Sequence, residues 1–167
     1  MELTKRNFIQ IINKNRGLIR SLCKIYFSSS EDQKDAFQDI ILQLWKSFDT
    51  FRGESEIGTW IYRVCLNTIL GKIKKEKKSV PVEPIDVHHF YISNAKADDN
   101  TELLPIIIQS LKDIDKAIMV LHLEGYQNRE IADILNISPT NVGTRFNRVK
   151  SQLKMKFNNE YHASEQS

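Results

Sequence analysis

A chain of 167 residues with 41% hydrophobic content can fill the core of one ordinary domain or of two small ones. The formal net charge is only +3, but the charges are segregated. Lys72, Lys74, Lys75, Lys77 and Lys78 close one segment and Arg145, Arg148, Lys150, Lys154 and Lys156 another, while acids gather at 31–39 and 98–102, a pattern that suits a polyanion touched at two separate places. No apolar run reaches the length of a membrane span and Met1 opens a charged segment without a hydrophobic signal core, so the expectation is a soluble, cytoplasmic protein with no membrane insertion.

Gly and Pro are few, and no stretch alternates apolar and polar residues long enough for a sheet, so the fold class is predicted to be all-α. A first helix is expected over 4–27, with Thr4 as N-cap and Phe8, Ile11, Ile12, Leu18, Ile19, Leu22 and Ile25 at helical spacing. SSSEDQ resets the chain before a second helix over 31–48. There Phe37, Ile40, Ile41, Leu44 and Phe48 form a buried stripe, and Asp35, Gln38, Asp39, Leu42, Trp45 and Lys46 occupy the opposite arc. A leucine among acids, edged by a tryptophan, has the composition of a protein-docking patch with an apolar anchor.

The loop FRGESEIG contributes Arg52, Gly53 and Glu54, with Gly53 supplying flexibility to shape a pocket for an extruded base. On the third helix, over 57–75, Ile61, Cys65, Ile69 and Ile73 face the core, and Trp60, Arg63, Asn67, Gly71 and Lys74 line another side. An aromatic, a guanidinium, an amide and an amine on one stripe are the parts that stack on unpaired bases and hold a nucleic-acid backbone. A tryptophan at this spacing is more often a core residue, and both readings stay open. Cys23 and Cys65 fall within apolar helical patterns and read as reduced core thiols. His88 and His89 lie in a polar stretch without partner ligands, so no metal and no cofactor are expected.

Residues 79–101 carry two prolines and no sustained period and read as a flexible linker; helical patterning returns from 102, with breaks near Leu111, at Gly125 and at 136–138. In NREIADILNISPTNVGTRFNRVK, Ile131, Ala132 and Leu135 face inward from one short helix and Val142, Phe146, Val149 and Leu153 from the next. Asn136 suits a left-handed turn position, Ser138 an N-cap and Pro139 the first helical position. This is the pattern of a helix-turn-helix. Thr140, Asn141, Thr144, Asn147, Arg148 and Ser151 point away from the apolar stripe, flanked by Arg145 and Lys150, so the second helix can offer hydrogen bonds to base edges and phosphates. The expected organisation is therefore a helical domain at 1–78, a linker at 79–101, a helix-turn-helix domain at 102–158 and a frayed tail at 159–167.

DAFQDIILQLWKSFDTFRGESEIGTWIYRVCLNTI resembles the second conserved region of extracytoplasmic-function (ECF) sigma factors, and LKDIDKAIMVLHLEGYQNREIADILNISPTNVGTRFNRVKSQL resembles their fourth. The resemblance implies a bacterial promoter-specificity subunit without catalytic activity, whose partners are the RNA polymerase core, promoter DNA and an anti-sigma factor. It implies core binding through Asp35, Gln38, Asp39, Leu42 and Trp45. Minus-ten recognition and strand opening would fall to Arg52, Gly53, Glu54, Thr59, Trp60, Arg63, Asn67 and Lys74. Minus-thirty-five reading would fall to Ser138, Thr140, Asn141, Thr144, Arg145 and Arg148, with Arg129 as a phosphate contact. The chain departs from the family pattern at Gly71 and Lys74, where an Asp and an Arg are common, and at Gly143, where a Lys is common. The alternative is a stand-alone dimeric helix-turn-helix regulator.

Overall fold

The computed structural model describes residues 5–79, 108 and 110–164, and among them every regular element is a helix. Thr4, the segment 80–107 with His88 and His89, and nearly all of the expected linker lie outside the described residues. The helices are α1 (Lys5–Tyr26), α2 (Ser30–Phe48), α3 (Ile57–Ser79), α4 (Asp113–Leu123), α5 (Asn128–Leu135) and α6 (Pro139–Ser164).

The first three helices start and stop where local chemistry directs. Ser29 caps α2 by accepting the backbone N–H of Asp32 at 3.0 Å, and Glu31 and Asp32 place negative charge at the positive end of the helix dipole. Between α2 and α3 the chain turns at Gly53, whose φ of 73° is a left-handed conformation that a side chain would strain. Ile19 and Leu22 of α1, Ile40, Leu44 and Phe48 of α2, and Ile61, Leu66 and Ile69 of α3 meet in one core. Each such side chain contributes about 1.5–3 kcal/mol by leaving water. Cys23 and Cys65 are buried in the same core as free thiols, and loss of solvation pushes the Cys23 thiol up to about 11, which keeps it protonated and inert.

The second group of helices forms the helix-turn-helix. The Glu130 carboxylate accepts the Gln127 backbone N–H at 2.7 Å and so closes the start of α5. Asn136 ends that helix at φ 54°, ψ 49°, the left-handed conformation that its place between the two apolar stripes calls for. Ser138 then caps α6, accepting the Asn141 N–H at 3.1 Å, with Pro139 at the first helical position. Ile131, Ala132 and Ile134 of α5 pack on Val142 and Val149 of α6 and on Ile118 and Leu121 of α4. No breaker follows Gly143, and α6 accordingly continues to Ser164, through residues expected as a frayed tail from 159.

Helix α3 also packs against α4 and α5, so the two helical groups share a contact in this structure. Tyr62 of α3 meets Tyr126 edge to face, with ring centroids 5.7 Å apart. The Tyr26 hydroxyl donates to the Asp113 carbonyl at 2.9 Å, and Lys77 pairs with the Asp113 carboxylate at 2.7 Å. Burial and the neighbouring Asp113 and Glu124 carboxylates raise the pKa of Tyr26 and Tyr62 respectively, so both phenols stay neutral donors.

Candidate protein and nucleic-acid interfaces

The outer arc of α2 is exposed as its pattern requires. Asp35, Gln38, Asp39, Leu42 and Trp45 all reach the surface, Leu42 at 49% and Trp45 at 41% exposure. Large apolar side chains this open are ordinary when they occur singly, but these two border an apolar groove of about 630 Å³ between Phe8 and Ile9 of α1 and Phe37, Ile41, Leu42 and Trp45 of α2. The Phe8 ring meets Trp45 nearly at right angles, at 5.0 Å, and fixes the indole at the groove wall. Elsewhere on the exposed arc of α2, Asp39 pairs with Lys72 of α3 at 2.9 Å, and this bond raises the lysine pKa. An apolar trough on a helix that also exposes carboxylates can seat a partner helix with apolar anchors.

The α3 stripe is realised in part. Arg52, Gly53 and Glu54 in the loop are exposed, as are Asn67, Gly71 and Lys74 on the helix. Arg63 is half-buried, and its Nε has no hydrogen-bond acceptor among the described residues. Trp60 departs from the surface reading: it is 7% exposed, lodged against Phe51 at 5.1 Å and Phe48 at 6.2 Å. The reason is geometric, since the loop folds Phe51 back over the start of α3 and closes the indole into the core. Thr59 is half-buried beside Tyr126, its hydroxyl 3.4 Å from the phenol oxygen.

On α6, Thr140, Asn141, Thr144 and Asn147 are exposed, and Arg129 is exposed at the start of α5. Ser138 is occupied as a cap. Arg145 and Arg148 are not simply free to face DNA: both bind the carboxylate of Asp115 on α4, at 2.9 Å each. Sequence reasoning misses Asp115, which stands beside Asp113 and Lys116 in the first turn of its helix with no pattern to mark it as buried. A Cβ at Gly143 would stand 3.4 Å from the Asn128 side-chain amide, an ordinary contact, so packing there does not by itself require a glycine. Behind the same helix His122 stacks on Phe146 at 3.8 Å, and burial lowers its pKa, leaving a neutral ring.

Among the described residues no cluster of His, Cys, Asp and Glu could hold a metal ion, and no helix is long and apolar enough to cross a membrane.

An all-helical chain with an open apolar groove on one helical group and a helix-turn-helix on the other has the makings of a DNA-binding transcription protein. Residues 11–79 match the family Sigma-70 region 2, and residues 103–153 match Sigma-70, region 4. Relatives include the ECF RNA polymerase sigma-E factor of Haemophilus influenzae, 25% identical over 91% of this chain and 88% of the relative. The ECF RNA polymerase sigma factor SigM of Mycobacterium tuberculosis is 22% identical over 87% of this chain and 74% of its own. Among solved structures, the sigma factor RpoE in complex with the anti-sigma factor NepR from Bartonella quintana superposes with a TM-score of 0.65 at 16% identity, covering 90% of this chain and 96% of that one. CnrH in complex with the cytosolic domain of CnrY gives 0.63 at 15% identity, covering 93% and 90%. The chain belongs to the sigma-70 family, and within it to the extracytoplasmic-function group of sigma factors.

Proposed function

We propose that this protein binds the RNA polymerase core, directs it to promoters carrying minus-ten and minus-thirty-five elements, and promotes strand opening there. The observation that carries the reading is the pairing of two surfaces in one chain. An open apolar groove at Leu42 and Trp45, on a helix that also exposes Asp35 and Asp39, suits a polymerase helix, and the polar outer face of α6 suits a duplex groove. The domain division expected from the sequence assigns 1–78 to core and minus-ten binding and 102–158 to minus-thirty-five binding. Arg52, Glu54, Arg63, Asn67 and Lys74 present charge and amides to an unpaired strand. Strand opening would then draw on binding to unstacked bases, with no nucleotide hydrolysis and no cofactor. The protein works in the cytoplasm, where its polymerase is.

An anti-sigma protein is a further proposed partner. Two solved structures with this fold are complexes with a second protein, the sigma factor RpoE with the anti-sigma factor NepR and CnrH with the cytosolic domain of CnrY. The groove on α1 and α2 offers such a protein the surface the polymerase would need.

Run-off transcription with purified core enzyme on genomic promoter fragments tests the reading. Transcripts from discrete start sites that require added protein are expected. Duplex binding by the free protein, unaltered by core enzyme and without any transcript, would replace the reading with that of a stand-alone regulator.

A further inference from the structure

The polar face of α6 is tied to a buried residue on a different helix. Asp115 of α4 is 4% exposed and uses both carboxylate oxygens: Oδ1 accepts from Arg145 at 2.9 Å and Oδ2 from Arg148 at 2.9 Å. Arg145 makes one more bond, from its Nε to Oδ1 of Asn141, one turn back along α6, at 2.8 Å. A guanidinium can only donate, so it selects the oxygen of the Asn141 amide and leaves the amide nitrogen to face outward. Asn141 is exposed at the amino-terminal turn of the helix, where helix-turn-helix proteins make their base contacts.

We propose that Asp115 is a positioning and specificity-determining residue for duplex reading, holding Arg145 so that Asn141 presents its amide N–H groups to a base. The inference rests on the reading of α6 as the duplex-reading helix. Two consequences follow from the chemistry. An outward NH2 group favours base edges that accept, such as purine N7 or guanine O6, and disfavours the cytosine amino group. The carboxylate also neutralises one of two cationic charges and anchors both arginines, which limits their binding to phosphates of any sequence. Arg148, with its side chain 48% exposed, is the arginine most readily released when the carboxylate is lost.

The test uses the full chain assembled with core polymerase on a promoter found by run-off transcription, with six upstream base pairs randomised and the bound fraction sequenced. Asn141→Ala should erase base preference at one or two positions. Asp115→Asn should weaken preference at those same positions by roughly five- to tenfold, within the discrimination that one good base contact carries. It should also steepen the dependence of log affinity for non-specific duplex on log salt by about one, the signature of one added phosphate contact. Asp115→Glu, which keeps the carboxylate, should restore much of the preference.

Unchanged base preference and salt slope in Asp115→Asn, with only a lowered melting temperature, would overturn the inference and leave Asp115 a purely structural anchor. Unchanged preference in Asn141→Ala would overturn it at a different point, by removing Asn141 from duplex reading. Should Asp115→Asn not fold, Arg145→Lys breaks the link to Asn141 while leaving the Arg148 pair. Loss of preference at the same positions then supports the inference, and wild-type preference overturns it.

Discussion

Trp60 shows how one side chain can satisfy two descriptions until its surroundings are known. Its helical spacing puts it in line with Arg63, Asn67 and Lys74, as a base-stacking aromatic would be, yet the indole sits against Phe48 and Phe51 with 7% of its surface exposed. A residue so enclosed acts on the fold before it can act on DNA. Trp60→Ala is expected to destabilise the protein by about 3–5 kcal/mol, as removal of a large buried ring does, and urea denaturation checks it. Wild-type stability combined with loss of permanganate reactivity at the promoter would instead return Trp60 to the strand-facing surface.

At the scale of the element, α2 carries two jobs on one helix. Its inner stripe of Ile40, Leu44 and Phe48 is sealed, and its outer arc keeps Leu42 and Trp45 in solvent beside Asp35 and Asp39. Exposed apolar side chains at the edge of a groove gain their stabilisation only when a partner covers them. Leu42→Ala is therefore expected to leave folding unchanged and to weaken association with core polymerase by about tenfold, the loss of a moderate interface anchor. Titration of labelled protein with core enzyme measures it, and an unaltered dissociation constant would take this face out of core binding. The helix-turn-helix divides its labour differently. Its caps and turn are local, set by Glu130, Asn136 and Ser138, whereas the arginines of its second helix are held by a residue of α4.

The whole molecule is joined by contacts between polar and aromatic groups: Tyr62 with Tyr126, Tyr26 and Lys77 with Asp113, and Lys116 5.5 Å above the Tyr26 ring. Such contacts resemble those between domains that separate, since polar and aromatic groups at a junction are readily returned to water. The proposed engagement of two promoter elements at once would need the halves free to move apart. Tyr126→Ala removes an aromatic pair worth roughly 1 kcal/mol, and should expand the free protein in small-angle scattering while leaving the helix content of both halves intact. A radius of gyration equal to that of the wild type would show that other contacts hold the halves together.

The helices, their order and the helix-turn-helix are legible in the amino-acid sequence, because they depend on interactions between residues a turn apart. Apolar spacing marks the buried stripes, Ser138 and Pro139 start a helix, and Asn136 accepts the left-handed turn that ends one. The exposed arc of α2 is legible for the same reason. Neither the burial of Trp60, the junction at Tyr126 nor the hold of Asp115 on Arg145 and Arg148 can be read so. Each joins residues on different elements, in the last case about thirty positions apart, and periodicity carries no information on which helix faces which. Local hydrogen bonding and apolar spacing thus determined what the pieces of this chain are. Packing between the helices decided which of their polar side chains are left to meet a partner.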